Sequence, residues 1–372
     1  MIEEIESTYK VDISRMPDID RYPYEDITQY YLTPKQSLYE ECNQAEWRVR
    51  RLASINQPDR WTAAVKFGSK ADGSRAEIET ELSEGDFGTR PEDIEGYAYG
   101  QLEKRRFYLE EGIIIDWITK GAYKGKLQAE KEFTSREEMA AWEPPNWLTL
   151  DSRLPSSRKL AQDLRPGKSN DVVSSDKELS EVIDQLKRYG GIIVSVSGMS
   201  GSGKSTFALH LADVLNAAYL EADHFHIGTK ELLKRYGVAN HDLPEAYDYS
   251  GVRSAALGLM MGRPQTVPRY DFFIGEPKGK KVISPAANGN VVVEGLYAAS
   301  AFRYDRKMHI SILKNSPLYV SVIRRILRDT SMRQESRAVS FSAEETLAYI
   351  HRYAVPSYLK AFDGRRFNYV IG

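Results

Sequence analysis

The 372-residue sequence contains a single cysteine, Cys42. One thiol excludes an internal disulfide framework and any multi-cysteine zinc site, and it fits a reducing compartment. Long apolar runs are also missing. None approaches the roughly 20 residues that a bilayer-crossing helix needs, and the opening MIEEIESTYK has no apolar signal core. Neither sign of charge dominates: 51 Lys and Arg against 53 Asp and Glu leave a net charge of −2, which argues against a protein that coats nucleic acid. Tandem repeats and low-complexity tracts are absent. The expectation is a soluble, cytoplasmic protein with no nucleic-acid and no membrane partner; its oligomeric state is left open. Apolar residues at 41% are enough for a sizeable core, and the length suggests two domains.

One shift in texture divides the chain. Residues 164–177, LRPGKSNDVVSSDK, cluster Pro, Gly, Ser, Asn and Asp and read as a linker. Before it, in 1–163, short alternating segments recur: EIESTYKV, EWRVRRL, WTAAVKFG, AEIETEL, KRRFYLE, GIIIDWI and LQAEKEF. That period predicts antiparallel strands. PEDIEGYAYGQL and SREEMAAW read as helical pieces, the second capped by Ser135 with Glu138 three residues on. After the linker, in 178–372, helical patterns (ELSEVIDQLKRYG, STFALHLADVLN, VRSAALGLMMG, PLYVSVIRRILRDT) alternate with apolar strands (GIIVSVSG, AAYLEAD, NVVVEGL, KMHISILK). Alternation of this kind predicts an α/β domain with a parallel sheet.

The strongest chemical signal is GMSGSGKST, Gly198 to Thr206. It fits G-x-x-x-x-G-K-[ST], with a predicted strand before it and a predicted helix after it. Glycines let several N–H groups turn into one concavity and hold phosphate oxygens, and the helix start adds its positive dipole end. Gly198, Gly201, Ser202, Gly203, Lys204, Ser205 and Thr206 form the expected nucleotide-binding set. Lys204 reaches the β- and γ-phosphates, and the Ser205 hydroxyl can ligate Mg²⁺. The loop specifies a nucleoside triphosphate but leaves the reaction open.

The motifs downstream resemble, in the same order, those of the uridine kinase and phosphoribulokinase group of P-loop kinases. They are Asp223-His224-Phe225, NHDLPEAYD (240–248), PRYDF (268–272), VVVEG ending in Glu294-Gly295, and RRILRD (324–329) with Arg333 beyond. From the residues alone, Asp223 stands at the carboxyl end of a predicted strand, where a carboxylate can accept a hydroxyl proton or merely cap the next turn. Glu294 ends another strand. Arg324, Arg325 and Arg328 lie close together on a helix that would otherwise read as a solvated basic face. The resemblance implies that Asp223 is the catalytic base and Glu294 a metal residue with Ser205. It also implies that Arg325 and Arg328 clamp the transferring phosphoryl group, and that Asp242, Tyr270 and Arg333 bind the acceptor. In the family's uridine and cytidine members a His follows the Tyr of P-x-Y-D-F by five residues; Gly275 stands there in this chain, which leaves the acceptor open. Asp223, His224 and His226 lack a third nitrogen or thiolate at ligand spacing and make no zinc site.

The first half carries charges at i and i+2: Glu4 and Glu6, Arg48 and Arg50, Glu77 and Glu79, Lys104 and Arg106, Glu130 and Glu132. Lys66 and Arg75 stand singly in similar strands. Such pairs share a strand face. An ordinary wet sheet face would explain any one of them. The recurrence of single-sign pairs across separate strands predicts an antiparallel β-barrel whose lumen holds them, with carboxylates for Mg²⁺ or Mn²⁺ and cations for phosphate. This half resembles the CYTH family, the triphosphate tunnel metalloenzymes, through those pairs and through LTLDSRLPSSRKLA near its end. Thr8 stands at the position of the family's opening Lys, with Lys10 further along the same face, and Leu154 replaces a Tyr. The resemblance implies that Glu4, Glu6, Glu77, Glu79, Glu130 and Glu132 hold metal. Lys10, Arg48, Arg50, Lys66, Arg75, Lys104 and Arg106 would then hold phosphate.

The expectation is therefore a tunnel domain followed by an ATP-dependent, Mg²⁺-using phosphotransferase that acts on a nucleoside-like hydroxyl. Two alternatives stand beside it: a tripolyphosphate or pyrophosphate hydrolase with a regulatory P-loop domain, and a non-catalytic sensor of phosphorylated ligands.

Overall fold

The computed structural model describes residues 2–68, 74–151, 154–164, 176–272, 274–303, 308–335 and 342–372, and of residues 2–4, 74–75, 176–179 and 331–335 the backbone alone. The chain forms two compact units. One comprises Met1–Ser169 with Phe341–Arg352, the other Asn170–Ser340 with Tyr353–Gly372.

The first unit is an antiparallel sheet built from β1 (Ile2–Val11), β2 (Tyr24–Tyr31), β3 (Ala45–Ala53), β4 (Arg60–Phe67), β5 (Ser74–Leu82), β6 (Gly100–Tyr108), β7 (Ile113–Ile118) and β8 (Leu127–Phe133). Its order is β6-β2-β3-β4-β5-β1-β8-β7, and β7 pairs again with β6, so the pairing returns to its first strand. β9 (Leu148–Leu150) adds to the end of β1, and β10 (Gln162–Asp163) to β6. Period-two alternation sorts the side chains. Trp47, Val49, Val65 and Ile78 are fully buried on one face, while Arg48, Arg50, Lys66, Glu77 and Glu79 turn to the other. Burying each such apolar side chain contributes about 1.5–3 kcal/mol. A second apolar cluster joins Tyr9, Phe107, Ile113, Ile115 and Trp147.

PEDIEGYAYGQL is not a helix throughout. Only Pro91–Ile94 makes a helical turn, and Gly100 onward is β6, because the register of β6 against β2 extends to Gly100. β2 itself went unread in the sequence. SREEMAAW forms α1 (Arg136–Ala141): the Ser135 hydroxyl accepts from Glu138 N–H at 3.1 Å, while the Glu138 carboxylate returns to Thr134 rather than to Ser135.

The second unit has a parallel sheet of β11 (Ile193–Ser197), β12 (Ala218–Glu221), β15 (Val291–Glu294), β16 (His309–Lys314) and β17 (Tyr369–Ile371), ordered β12-β15-β11-β16-β17. Its helices are α2 (Asp176–Leu186), α3 (Lys204–Val214), α4 (Thr229–Tyr236), α5 (Tyr249–Met260) and α6 (Leu318–Glu335). Adjacent strand residues feed opposite faces: Val291 and Val293 pack with Val252, Ala256 and Leu259 of α5, while Val292 packs with Ala208 and Leu211 of α3. A two-stranded antiparallel hairpin, β13 (Gln265–Asp271) with β14 (Glu276–Ile283), stands apart from this sheet.

The sequence places 342–352 with the C-terminal domain; in the structure it belongs to the first unit. α7 (Ala343–Tyr349) packs on β5 there, burying Leu347 and Ile350. Among the described residues no helix is long and apolar enough to cross a membrane.

Candidate functional site

The phosphate loop of the second unit runs from buried β11 into α3. Gly201 and Gly203 have φ of +88° and +82°, a region that costs L-residues a Cβ clash. Space is the second constraint. A Cβ on Gly198 would meet the Lys314 carbonyl oxygen at 2.4 Å, and one on Gly201 would meet the Ser321 carbonyl oxygen at 2.3 Å. Lys204 is buried with its Nζ 3.3 Å from Glu294 Oε1. Ser202 is buried, while Ser205 and Thr206 are exposed on the first turn of α3.

Two buried carboxylate oxygens here lack a hydrogen-bond partner, Asp223 Oδ1 and Glu294 Oε1. Burial raises the pKa of Asp223. Lys204 opposes this, and the Asp242 and Glu221 carboxylates add to it. Glu294 is raised by burial and by Asp223, again against Lys204. The unpartnered Asp223 oxygen and the Glu294 carboxylate, which Lys204 ion-pairs and the Ser205 hydroxyl adjoins, suit a divalent cation that draws its remaining ligands from phosphates and water. Among the described residues no three Asp, Glu, His or Cys side chains form a complete metal-ligand group.

Arg325 and Asp242 are brought together, 83 positions apart in the chain. The guanidinium donates to both carboxylate oxygens, Nη1 to Oδ1 at 2.9 Å and Nη2 to Oδ2 at 3.0 Å. Arg325 is thus committed to the loop that carries Asp242. Arg328 instead reaches the phosphate loop, donating from Nη1 to Ser200 Oγ at 3.2 Å. Arg324, named in the sequence with Arg325 and Arg328 but given no role of its own, reaches the start of α3, where a Cβ built on Gly203 would sit 4.0 Å from its Nη1. The side chain of Arg333 lies outside the described residues.

Tyr270 closes a ring cluster. Its ring and that of His241 each lie 4.9 Å from His226, and its hydroxyl is 3.4 Å from His241 Nδ1. Burial, then the neighbouring His226, lowers His241 to about 4, so its imidazole is neutral near pH 7. Gly275 has φ +65°, and a Cβ there would meet Thr229 Oγ1 at 2.3 Å and His241 Cε1 at 3.8 Å. Nothing in the local sequence pattern marks His241 as a neighbour of this glycine.

In the first unit a cavity of about 510 Å³ is lined by Glu6, Arg48, Arg50, Lys66, Glu77, Glu79, Lys104, Arg106, Glu130 and Glu132, all expected there from the sequence. The structure adds Glu46, Ser156, Ser157, Arg158 and Glu344 to the lining. Lys10 is not among these residues. It is exposed one residue beyond Tyr9, the last β1 residue paired with β8, and lies opposite Thr149 of β9, which pairs with the other edge of β1. The side chains of Glu4 and Arg75 lie outside the described residues.

Asp116, which stands alone in the apolar strand IIIDWI, receives both Arg106 (Nε to Oδ1, 2.8 Å) and Lys104. Burial opposes its charge, but Arg106 and Lys104 outweigh that and hold its pKa low. Glu77 bridges Arg48 at 2.8 Å and Lys66 at 3.2 Å. Burial works against two of the paired cations. Burial, then Arg106, lowers Lys104 to about 8, and burial with Arg48 and Arg106 lowers Arg50. Glu6 lies directly opposite Glu132 across the β1–β8 pair, an arrangement of like charges that is destabilising by itself.

Residues 193–354 match the model of the Phosphoribulokinase / Uridine kinase family. A uridine kinase of Deinococcus deserti is 28% identical over 145 residues, which cover 38% of this chain and 70% of that kinase. A uridine kinase of Staphylococcus carnosus is 27% identical over 152 residues, 39% of this chain and 71% of that one. Among solved structures, an inorganic triphosphatase aligns over 44% of this chain and 97% of its own, at 21% identity and a TM-score of 0.27. The protein is a kinase, a phosphotransferase with a uridine kinase-like P-loop domain, and that family implies ATP as the phosphate donor with a divalent metal.

Proposed function

We propose that the second unit transfers the γ-phosphoryl group of ATP to a hydroxyl of a nucleoside-like acceptor. The observation that carries this reading is the buried, unpartnered Asp223 Oδ1 beside Lys204 and Glu294. The acceptor oxygen attacks the γ-phosphorus, its proton passes to Asp223, and the bond to the β-phosphate oxygen breaks. Lys204 and the loop N–H groups bind the phosphates. Arg328 and Arg324, both at the loop, stabilise charge on the equatorial oxygens. Glu294 and Ser205 would hold Mg²⁺, which offsets phosphate charge when bound. Asp242, fixed by Arg325, presents its loop to the acceptor hydroxyls, and Tyr270 with His241 forms a wall for a planar ring. Incubation with Mg-ATP and a nucleoside panel tests the reading: a phosphorylated nucleoside must appear, and Asp223→Asn must suppress it.

The first unit fits a CYTH-like tunnel that binds polyphosphate with a divalent cation, over residues 1–163, with 164–177 as the linker and the kinase domain in 178–372 apart from Phe341–Arg352, which group with the first unit. Support comes from the self-returning strand order and from a cavity that gathers Arg48, Arg50, Lys66, Lys104 and Arg106 beside the facing pair Glu6 and Glu132. That mixture suits a metal-bound polyanion better than a free anion. Hydrolysis of tripolyphosphate or pyrophosphate is the second reading of this cavity. Release of phosphate that Lys66→Ala abolishes and Lys204→Ala does not would support it.

A further inference from the structure

The hydrogen bonds of the ring cluster in the second unit run in one direction. They start from α4 (Thr229–Tyr236), whose first N–H groups have no partner inside the helix. The turn of the β13–β14 hairpin caps them. Thr229 N–H donates to the Gly275 carbonyl at 2.7 Å, and Lys230 N–H donates to Glu276 Oε1 at 2.9 Å. The Thr229 hydroxyl donates to the same Gly275 carbonyl at 2.9 Å. A hydroxyl has one proton. Thr229 Oγ1 therefore accepts from His241 Nε2, which lies 3.3 Å away.

A neutral imidazole carries one N–H. That of His241, neutral near pH 7, is on Nε2, so Nδ1 is a bare acceptor. The Tyr270 hydroxyl, 3.4 Å from Nδ1, is the donor to it. His226 is fixed in the same way. Its Nδ1 accepts from Gly228 N–H at 3.3 Å, and its Nε2–H donates to the His241 carbonyl at 3.1 Å. With both nitrogens engaged, His226 meets the rings of Tyr270 and His241 through its own ring, 4.9 Å from each.

The donors thus point inward, from Tyr270 through His241 and Thr229 to the Gly275 carbonyl. Gly275 belongs to this arrangement, because a Cβ there would meet Thr229 Oγ1 at 2.3 Å. The phenolic proton of Tyr270 is committed, and burial raises the pKa of that phenol, so the proton stays on it. Lone pairs alone remain on the oxygen.

We infer that Tyr270 Oη meets the acceptor as a hydrogen-bond acceptor only, so that the kinase selects a base with an exocyclic amino group at that position over a base with a carbonyl there. A carbonyl would face lone pairs with no proton between them, and both oxygens would lose water without a replacement. His241 is then a specificity-determining residue that acts through Tyr270. The inference deepens the nucleoside-kinase reading and rests on it.

The test compares kcat/KM of the full chain, with Mg-ATP, for two series of ribonucleosides. In each the exocyclic group is amino, hydrogen or carbonyl: cytidine, pyrimidin-2-one riboside and uridine, then adenosine, purine riboside and inosine. In the series that fits the site the amino member should lead the other two by about tenfold or more, as expected when a buried hydrogen bond is lost. His241→Phe keeps a ring and removes Nδ1, which frees the Tyr270 proton to turn outward. The carbonyl member should then gain on the amino member by about tenfold. Tyr270→Phe keeps its ring in the cluster and should level the series. A change that merely loosened the pocket would lower all members together. Equal turnover within the series, or a lead for the carbonyl member, overturns the inference, as does an amino lead that survives in either variant. If no nucleoside of either series is phosphorylated, the acceptor reading itself fails, and the inference with it.

Discussion

Arg325 and Asp242 form a two-pronged ion pair, 2.9 and 3.0 Å, with both side chains largely withdrawn from solvent. A buried carboxylate left without its guanidinium loses both the Coulomb attraction and two charge-assisted hydrogen bonds. Arg325→Met should therefore destabilise the kinase unit by about 3 kcal/mol in urea unfolding. Adding Asp242→Asn should recover part of that loss, because no unpaired charge remains.

Asp223 should set the acid limb of the pH–rate profile. A base works only when ionised, and burial, with Asp242 and Glu221 adding to it and Lys204 opposing, raises its pKa. Activity should rise with pH through a midpoint above the ordinary carboxylate range. Asp223→Asn should lower kcat by about 10²–10⁴-fold and remove that limb.

Two glycine substitutions separate loop geometry from general backbone strain. At Gly201 the backbone is left-handed and a Cβ would sit 2.3 Å from the Ser321 carbonyl oxygen, so Gly201→Ala should cost at least about tenfold in Mg-ATP affinity. Gly237 is also left-handed, at φ +72°, but opens onto free space. Gly237→Ala should cost about 1 kcal/mol of stability and leave ATP affinity unchanged.

His351 makes the first unit sensitive to acid. Burial holds it to about 4, well below its ordinary value near 6.5. The folded state keeps it neutral while the unfolded chain takes up a proton, so its stabilising contribution is complete above pH 6.5 and is lost as the pH falls through about 4. The melting midpoint of the first unit should drop across that window, less steeply in His351→Gln.

The parts legible in the sequence were those written contiguously or at a fixed period. The phosphate loop is nine consecutive residues, and the paired charges of β3, β5, β6 and β8 follow from period-two alternation, which placed Arg48, Arg50, Glu77, Glu79, Lys104, Arg106, Glu130 and Glu132 around one cavity. Alternation alone misplaced Lys10, because it carries no record of where the pairing of β1 with β8 ends, at Tyr9. Asp116 was unreadable as one charge in an apolar strand. The pairing of Arg325 with Asp242, the adjacency of His241 to Gly275 and the arrival of Glu344 in the first unit depend on contacts between distant segments, which local patterns do not encode.

The most direct test of the kinase reading follows label from γ-labelled ATP into a panel of nucleosides, with the native chain and Lys204→Ala side by side. The native chain should transfer label to at least one hydroxylated acceptor, and Lys204→Ala should transfer about 10³-fold less, as expected when a cation at the transferring phosphates is removed. Transfer that persists undiminished in Lys204→Ala would contradict it.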